Sequence, residues 1–233
     1  MEIVSAGRIE VAGLSKRYGQ RDALTNVDLE IPAGECHGVL GHNGSGKTTL
    51  LKILATLLTP THGTVRIGEL SLPRDAIAVR ERLGLMLDRP CLPLDFTLSE
   101  GLRYYASVQR RPCDTRTVDA VLERVGLSWR RRDPLRSFSR GMLQRASLAC
   151  LLIKNPAVLA LDEPFTGLDL AGCHWLEEWL AERRRAGLTV LLVTHEIERA
   201  RKLCDRVTVL RGGRVVQRVA AGTLDLELLA GRV

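Results

Sequence analysis

The stretch Gly41-His42-Asn43-Gly44-Ser45-Gly46-Lys47-Thr48-Thr49 decides the fold of this chain. Its spacing fits G-x-x-x-x-G-K-[ST], a pattern in which glycines let successive backbone N–H groups turn toward an anion. The lysine of this pattern reaches the β- and γ-phosphates of a nucleotide, and the hydroxyl after it is a ligand of Mg²⁺. The stretch therefore predicts a loop whose residues hold the phosphates of a nucleotide.

The residues on either side of the loop support this interpretation. Cys36 to Leu40 read as a short buried strand, and residues 47–58 place five leucines on one helical face. A strand, a glycine-rich loop and a helix in this order aim the helix N-terminus, with its free N–H groups and positive dipole, at the phosphates. The alternative, a glycine-rich turn without a ligand, is disfavoured by this context.

Length and composition bound the class of protein. The chain has 233 residues, 45% of them hydrophobic, which is enough for one large domain or a core with a small subdomain. Its six cysteines lack C-x-x-C or Cys/His ligand spacing, which favours reduced, packed thiols over a zinc site. No apolar run reaches the roughly 18 to 20 residues that cross a bilayer, and the N-terminus lacks the build of a signal peptide. We expect a soluble chain that stays where it is made.

The formal net charge of +7 raises the question of a polyanionic partner. Aromatic residues make up only 4% of the chain, which leaves few rings for stacking on single-stranded nucleic acid. The arginine clusters at residues 130–132 and 183–185 lie in polar, helix-like segments, and such clusters are usually solvated helix faces. We therefore expect no nucleic-acid partner, although the charge can still attract a nucleotide or an anionic membrane surface.

Strand and helix patterns alternate along most of the chain. Residues 8–12 alternate like an edge strand, Tyr18 and Gly19 read as a loop, and residues 27–31, 64–68 and 82–87 read as further strands. Helical patterns dominate 89–155, and β/α alternation resumes from 156 to a short terminal helix in the last dozen residues. We predict one domain over 1–233, with an α/β core formed by 1–88 and 156–233 and a helical subdomain at 89–155.

A second polar cluster follows a buried strand at residues 158–161. Asp162 at the strand end is placed to reach a metal ion, and Glu163 is placed to activate or hold a water molecule. His195 follows the apolar run 190–193, and parallel sheets bind ligands beyond the carboxyl ends of their strands. Taken alone, the acids could be a solvated strand end and the histidine a surface residue. Beside the phosphate loop, they predict a nucleotide-hydrolysing site.

Five motifs in order now resemble those of the ATP-binding subunits of ABC transporters. Besides the two clusters above, residues 139–145 (Ser-Arg-Gly-Met-Leu-Gln-Arg) are similar to the family signature, and Gly167-Leu168-Asp169 is similar to its D-loop. His195 stands where the family has its switch histidine. The resemblance covers nearly the whole chain and implies a P-loop NTPase core with an antiparallel β subdomain and an inserted helical subdomain. It also implies that Tyr18 stacks on adenine, although a single tyrosine often serves only in packing.

The resemblance also implies a site and its cofactors, ATP and Mg²⁺. Lys47, Glu163 and His195 would be catalytic, and Thr48 and Asp162 would hold the metal. Asp88 is predicted as a third metal ligand from the chemistry of its own carboxylate. The nucleotide would bind to Tyr18 and to the loop of one chain, and also to the signature segment of a second copy or of a paired subunit. The implied nucleotide-binding residues are Tyr18, Gly41, His42, Asn43, Gly44, Ser45, Gly46, Lys47, Thr48, Thr49, Ser139, Arg140, Gly141, Met142 and Asp169.

The signature segment would bind ATP in trans. Ser139 is a good N-cap for a helix over 140–154, so its hydroxyl and the N–H groups after it form an anion-binding helix end. Taken alone, this is only a helix cap. The resemblance implies that it docks on the γ-phosphate held by the other chain, with Asp169 at the seam. ATP would then join two chains, and hydrolysis would release them.

Two positions depart from the usual family pattern. The signature has Arg140 for glycine and Met142 for glutamine, a version similar to that of bacterial exporter subunits. After the strand at 82–87 the family usually has glutamine, and this chain has Asp88. A carboxylate there can bind Mg²⁺ more directly, but it also repels the phosphates, so the turnover rate is open.

The expected function is ATP hydrolysis that powers transport, in the export direction, through a separate membrane-spanning subunit. That subunit would dock at residues 89–105, where Pro90, Pro93, Phe96, Tyr104 and Tyr105 either form a groove or belong to the subdomain core. The chain would lie in the cytoplasm on the inner face of the cell membrane. A haem or cytochrome c maturation exporter, a drug or lipid exporter, a soluble ABC-type ATPase of DNA repair or translation, and a binding-only module remain alternatives.

Overall fold

The computed structural model describes residues 7–87 and 92–224 and contains two β-sheets. Ten strands lie in these ranges: β1 (Ile9–Tyr18), β2 (Arg21–Ile31), β3 (Cys36–Leu40), β4 (His62–Ile67), β5 (Leu70–Leu72), β6 (Leu83–Met86), β7 (Val158–Asp162), β8 (Thr189–Val193), β9 (Arg206–Arg211) and β10 (Arg214–Ala220).

Seven α-helices lie in the same ranges: α1 (Lys47–Leu54), α2 (Ala76–Arg82), α3 (Leu98–Val108), α4 (Thr115–Arg124), α5 (Arg140–Lys154), α6 (Leu170–Arg185) and α7 (Ile197–Leu203). In the described part of the chain, no helix is both long and apolar enough to cross a bilayer. Most of the predicted terminal helix falls at 225–233, outside the described residues.

The smaller sheet is antiparallel, with the order β2-β1-β4-β5. Its strand β1 lies between β2 and β4, so the prediction of an edge strand at 8–12 was wrong. The strand also runs on to Tyr18, for which the sequence pattern predicts a loop. Shifts in register between Val11 and Leu14, and again between Leu14 and Lys16, break the alternation of buried and exposed residues. That break hides the second half of the strand from a period-two pattern.

The larger sheet has the order β10-β9-β3-β8-β7-β6, and only β10 runs antiparallel to its neighbour. Strands β3, β7 and β8 are buried along their whole length, as expected for a parallel sheet covered on both faces. Strand β8 separates β3 from β7. Because all three run in parallel, their carboxyl ends meet at one edge of the sheet.

Helix α1 is shorter than the predicted helix at 47–58. It ends at Leu54, and Thr56 takes a positive φ of 62° that turns the chain. The backbone N–H groups of Leu57 and Leu58 then both donate to the carbonyl of Lys52. The turn leaves the Leu57 side chain 55% exposed instead of on the buried face of the helix.

Helices α3, α4 and α5 form the helical part between β6 and β7. Each begins with a side-chain cap: Thr97 accepts from the N–H of Glu100, Asp114 from that of Thr117, and Ser139 from that of Met142. Buried leucines of this part join one hydrophobic cluster with the larger sheet. The fold is thus the predicted α/β core with an antiparallel sheet and inserted helices, and the division at 88 and 156 stays a prediction.

Candidate functional site

The glycine-rich loop connects β3 to α1 and is packed against β2. Gly46 caps α1 with a φ of +107°, which favours glycine. A Cβ at this position would lie 2.6 Å from the carbonyl oxygen of Ala23 and 2.6 Å from a methyl group of Leu24. Any larger residue would push the loop off the strand, so both space and backbone conformation fix glycine here.

Lys47 begins α1, and its side chain is buried at the mouth of the loop. Its Nζ donates to the carbonyl oxygens of Gly41 at 2.6 Å and His42 at 3.0 Å. Burial lowers the pKa of Lys47, against the opposing charges of Glu163 and Asp162. The ammonium group is thus held by two neutral carbonyl oxygens of the loop, and a bound phosphate would supply the negative charge that these acceptors lack.

Thr48 and Asp162 are brought together from 114 positions apart in the sequence. The Thr48 hydroxyl donates to the Asp162 carboxylate at 2.7 Å, and Asp162 is the last residue of β7. A hydroxyl and a carboxylate are the hard oxygen donors that suit Mg²⁺ when waters and phosphate oxygens complete its shell. The predicted third ligand, Asp88, lies outside the described residues.

Glu163 is held firmly just beyond the end of β7. Its backbone takes a positive φ of 48°, and its N–H donates to the carbonyl of Val193 at 2.9 Å. One carboxylate oxygen is 2.7 Å from Nδ1 of His195, and the other accepts from the Thr194 hydroxyl at 3.1 Å. Both oxygens are therefore oriented, as a group that must position a water molecule requires.

Two residues that hold Glu163 have no assigned role in the sequence prediction, although Gln144 belongs to the signature segment at 139–145. Thr194 lies at the carboxyl end of β8 beside His195, so the rule that found His195 could have found it too. Gln144 is buried in α5, and its amide donates to the Glu163 carbonyl at 3.2 Å. The signature segment draws attention to Gln144, but its contact with Glu163, 19 positions further along the chain, is visible only in the structure.

The signature segment and the D-loop pack directly on each other. A Cβ on Gly141 would collide with the carbonyl oxygen of Gly167, so the two backbones meet without side chains between them. Asp169 caps α6 by accepting from the N–H of Gly172 at 2.9 Å, and it forms an ion pair with Arg145. The Gly172 N–H bond, with the Arg145 charge beside it, lowers the pKa of Asp169. The start of α5 is thereby fixed to the start of α6.

A pocket opens above the loop. Among the described residues its lining consists of Arg21, Ala23, Asn43, Gly44, Gly46, Lys47, Thr48, Thr49, Asp162 and Glu163. The predicted signature residues Ser139, Arg140, Gly141 and Met142 are described but are not part of this lining. Tyr18 is also outside it, 46% exposed at the end of β1. The site within one chain therefore brings together the loop, Asp162 and Glu163, but not the signature.

An apolar groove, separate in its lining from the pocket above the loop, lies between the end of α1, α2, β6, α3 and α5. Its lining consists of Ala55, Leu57, Arg80, Leu83, Leu85, Met86, Leu87, Tyr105, Gln109, Ser147, Cys150 and Lys154. Of the aromatic residues predicted for docking, Tyr105 lines this groove. Phe96 and Tyr104 are exposed and stack edge to face, with ring centroids 5.5 Å apart. Pro93 does not line it, and Pro90 lies outside the described residues.

Comparisons with known proteins agree with the geometry. A family model described as ABC transporter matches residues 24–166. The chain is 39% identical over 228 residues to the daunorubicin resistance ATP-binding protein DrrA3 of Streptomyces coeruleorubidus, which covers 97% of this chain and 72% of that protein. It is 36% identical over 210 residues to the Nod factor export ATP-binding protein I of Ralstonia nicotianae, covering 89% of this chain and 65% of that protein.

A solved structure gives the same result for the fold. The ATP-binding cassette MJ0796, solved as a dimer in a post-hydrolysis state with ADP and Pi, superimposes with a TM-score of 0.84 at 25% identity. The match covers 91% of this chain and 98% of that one.

Proposed function

This chain belongs to the ABC transporter family as an ATP-binding, ATP-hydrolysing subunit, and we propose that it powers export through a separate membrane-spanning partner. The observation that carries the proposal is the convergence at one edge of the larger sheet. Lys47 follows β3, Asp162 ends β7 with Glu163 directly after it, and His195 follows β8. Phosphoryl transfer needs positioning and charge stabilisation more than covalent chemistry, and these are what the edge supplies.

In this proposal the phosphate tail of ATP lies in the loop at 41–49, where the N–H groups and the N-terminus of α1 face it. The Lys47 ammonium exchanges its two carbonyl partners for phosphate oxygens. Thr48 and Asp162 would hold Mg²⁺, which neutralises charge on the phosphates when bound. The described site fits this ion because the donor atoms are a hydroxyl and a carboxylate already in contact.

Glu163 orients the attacking water and accepts its proton. Its two oxygens are fixed by His195 and Thr194, so the carboxylate needs little rearrangement when the substrate binds. His195 is two-thirds exposed in the isolated chain and faces the same edge. We propose that it contacts the γ-phosphate while it holds Glu163.

A second copy of the chain, or a paired subunit, completes the site. The signature residues are apart from the pocket of their own chain, yet Ser139 and the first turn of α5 form an anion-binding end. We propose that this end meets the γ-phosphate bound by the other chain, with Asp169 at the seam. MJ0796 was solved as a dimer with ADP and Pi, which supports this arrangement.

The apolar groove is the proposed docking place for a helix of the membrane-spanning partner. An amphipathic helix binds such a groove through apolar anchors one turn apart. The groove joins the end of α1, the helix that follows the loop, to β6, the strand that leads into Asp88. This position would let movement of the partner reach the nucleotide. The Ser-Arg-Gly-Met signature, and relatives named for drug resistance and Nod factor export, favour the export direction.

The substitution Glu163→Gln tests the enzymatic part of the proposal. It keeps the shape of the side chain but removes the base, so we expect ATPase turnover to fall by about 10²- to 10⁴-fold. Nucleotide binding should persist, so the variant should accumulate an ATP-bound dimer on size exclusion, and a chelator of Mg²⁺ should abolish the shift. Glu198→Gln, which removes an exposed carboxylate on α7, is the matched control and should behave like the native chain.

Two results would count against the proposal. Equal and negligible turnover in the native chain and in Glu163→Gln would exclude the enzymatic role. A variant that binds Mg-ATP but elutes as a monomer at every concentration would exclude the paired arrangement.

A further inference from the structure

Arg21 lies at the start of β2, directly after the hairpin turn that follows Tyr18. The two residues are paired across β1 and β2. Directly opposite residues of an antiparallel pair project to the same face of the sheet. Arg21 therefore stands beside the aromatic ring for which we predict contact with adenine, on the same side of the hairpin.

The guanidinium group of Arg21 also reaches the phosphate pocket. Arg21 lines this pocket together with Asn43 and Gly44. A Cβ built on Gly44 would lie 3.5 Å from its Nη2, so the group sits over the turn of the loop. One exposed cation thus extends between the predicted adenine platform and the phosphate-binding backbone.

The strand that carries Arg21 is fixed to the loop by backbone contacts. The carbonyl of Ala23 packs where a Cβ of Gly46 would be, and the N–H of Thr25 donates to Gly213 at 2.8 Å. Gly213 in turn donates its N–H to the carbonyl of Ser45 at 3.1 Å. The distance from Arg21 to the loop is therefore set by the fold and not by the side chain alone.

The charge of Arg21 is not compensated within residues 7–87 and 92–224, where no carboxylate lies within ion-pair distance of it. Its neighbour on the other face, Arg17, is paired with Asp22 at 2.7 Å. The two acids that line the pocket are bound elsewhere, Asp162 to Thr48 and Glu163 to His195. An unpaired guanidinium fork at an anion-binding cavity is matched in geometry to phosphate oxygens.

From this geometry we infer that Arg21 is a further nucleotide-binding residue, whose guanidinium donates hydrogen bonds to the phosphate tail of ATP while the adenine lies against Tyr18. The inference rests on the proposed function, because it needs a nucleotide in this pocket. The phosphates of the nucleotide would then contact two cations, Arg21 from the antiparallel sheet and Lys47 from the loop. The nucleotide would then join the two sheets.

The test measures nucleotide affinity by titration calorimetry on the full chain in the Glu163→Gln background, where ATP hydrolysis is slow on the time scale of the titration. We expect Arg21→Gln to weaken the binding of ATP and of ADP about tenfold, the loss of a hydrogen bond to a charged group. Adenosine, measured by competition, should bind with unchanged affinity. Arg21→Lys, which keeps the charge without the fork, should be intermediate. Arg17→Gln removes the same charge from the opposite face and is the control.

Three outcomes would overturn the inference. The first is an unchanged affinity for ATP in Arg21→Gln. The second is an equal loss of affinity for adenosine in Arg21→Gln, which would indicate a disturbed hairpin. The third is an equal loss of ATP affinity in Arg17→Gln, which would indicate a diffuse effect of charge. Failure of the proposed function is distinguishable from all three, because the background chain itself would then bind no ATP and Lys47→Ala would change nothing further.

Discussion

Thr194→Val removes one hydroxyl from the group of side chains that orients Glu163. Thr194 is 1% exposed, and its Oγ1 donates to Glu163 at 3.1 Å and accepts from the N–H of Glu196 at 3.1 Å. Valine has almost the same shape, so packing should survive while both bonds are lost. The His195 contact on the other carboxylate oxygen remains.

The magnitude follows from these bonds. A hydrogen bond to a charged group contributes about 1.5 to 3 kcal/mol. Because His195 still orients one oxygen, we expect the lower end of that range, which is about a tenfold decrease in kcat. The KM for ATP should stay the same, since Thr194 is not part of the described lining of the pocket. The unpaired N–H of Glu196 should cost about 1 kcal/mol of folding stability or somewhat more.

Steady-state ATPase assays at a temperature at which circular dichroism shows every variant to be folded separate the effect on kcat from the effect on stability. Thr194→Ser keeps the hydroxyl and is the matched control, so its kcat should remain close to that of the native chain. A native kcat in Thr194→Val would refute the reasoning. Equal impairment of the serine variant would attribute the loss to packing and not to the hydroxyl.

Two further predictions concern the D-loop and the groove. The pKa of Asp169 is lowered by the Gly172 N–H and by Arg145. The ionised Asp169 carboxylate therefore stabilises the fold at any pH above the ordinary aspartate pKa of about 3.9. This stabilisation is lost as the pH falls through the lowered pKa. The melting temperature of Asp169→Asn should therefore lie below that of the native chain at neutral pH, and the gap should close in strong acid; a gap independent of pH contradicts the assignment. Leu57→Glu places a charge on the 55% exposed leucine of the groove and should abolish co-purification with partner-containing membranes while ATPase activity persists. Ile77→Glu, at a 74% exposed position outside the groove lining, should still co-purify, and equal retention of both variants would exclude this groove.

Much of the fold was predictable where structure depends on neighbours in the sequence. Helix α5 begins and ends where the pattern and the Ser139 cap place it. The loop at 41–49 connects a buried strand to a helix, as its glycines predict. The errors fall where longer-range contacts override the pattern. Bulges extend β1 beyond its alternating part, and the turn at Thr56 ends α1 before its leucine pattern does.

The candidate site divides in the same way. Asp162 and His195 were found because each follows an apolar run, which marks the carboxyl end of a parallel strand. Arg21, Gln144 and Arg145 were not assigned roles, because their partners are distant in the sequence. An arginine in a polar hairpin and an amide in a helix look like ordinary surface or helix residues until the tertiary contacts are known.

The sequence by itself determined the family, the phosphate loop and the acids that follow β7, because each is a contiguous segment whose backbone conformation its own residues specify. Only the tertiary structure decided which groups meet. Strand β8 lies between β3 and β7, and this order brings Thr194 and His195 to Glu163 and brings Thr48 to Asp162. Strand order results from burial of the whole sheet between helices, a property that no local pattern specifies.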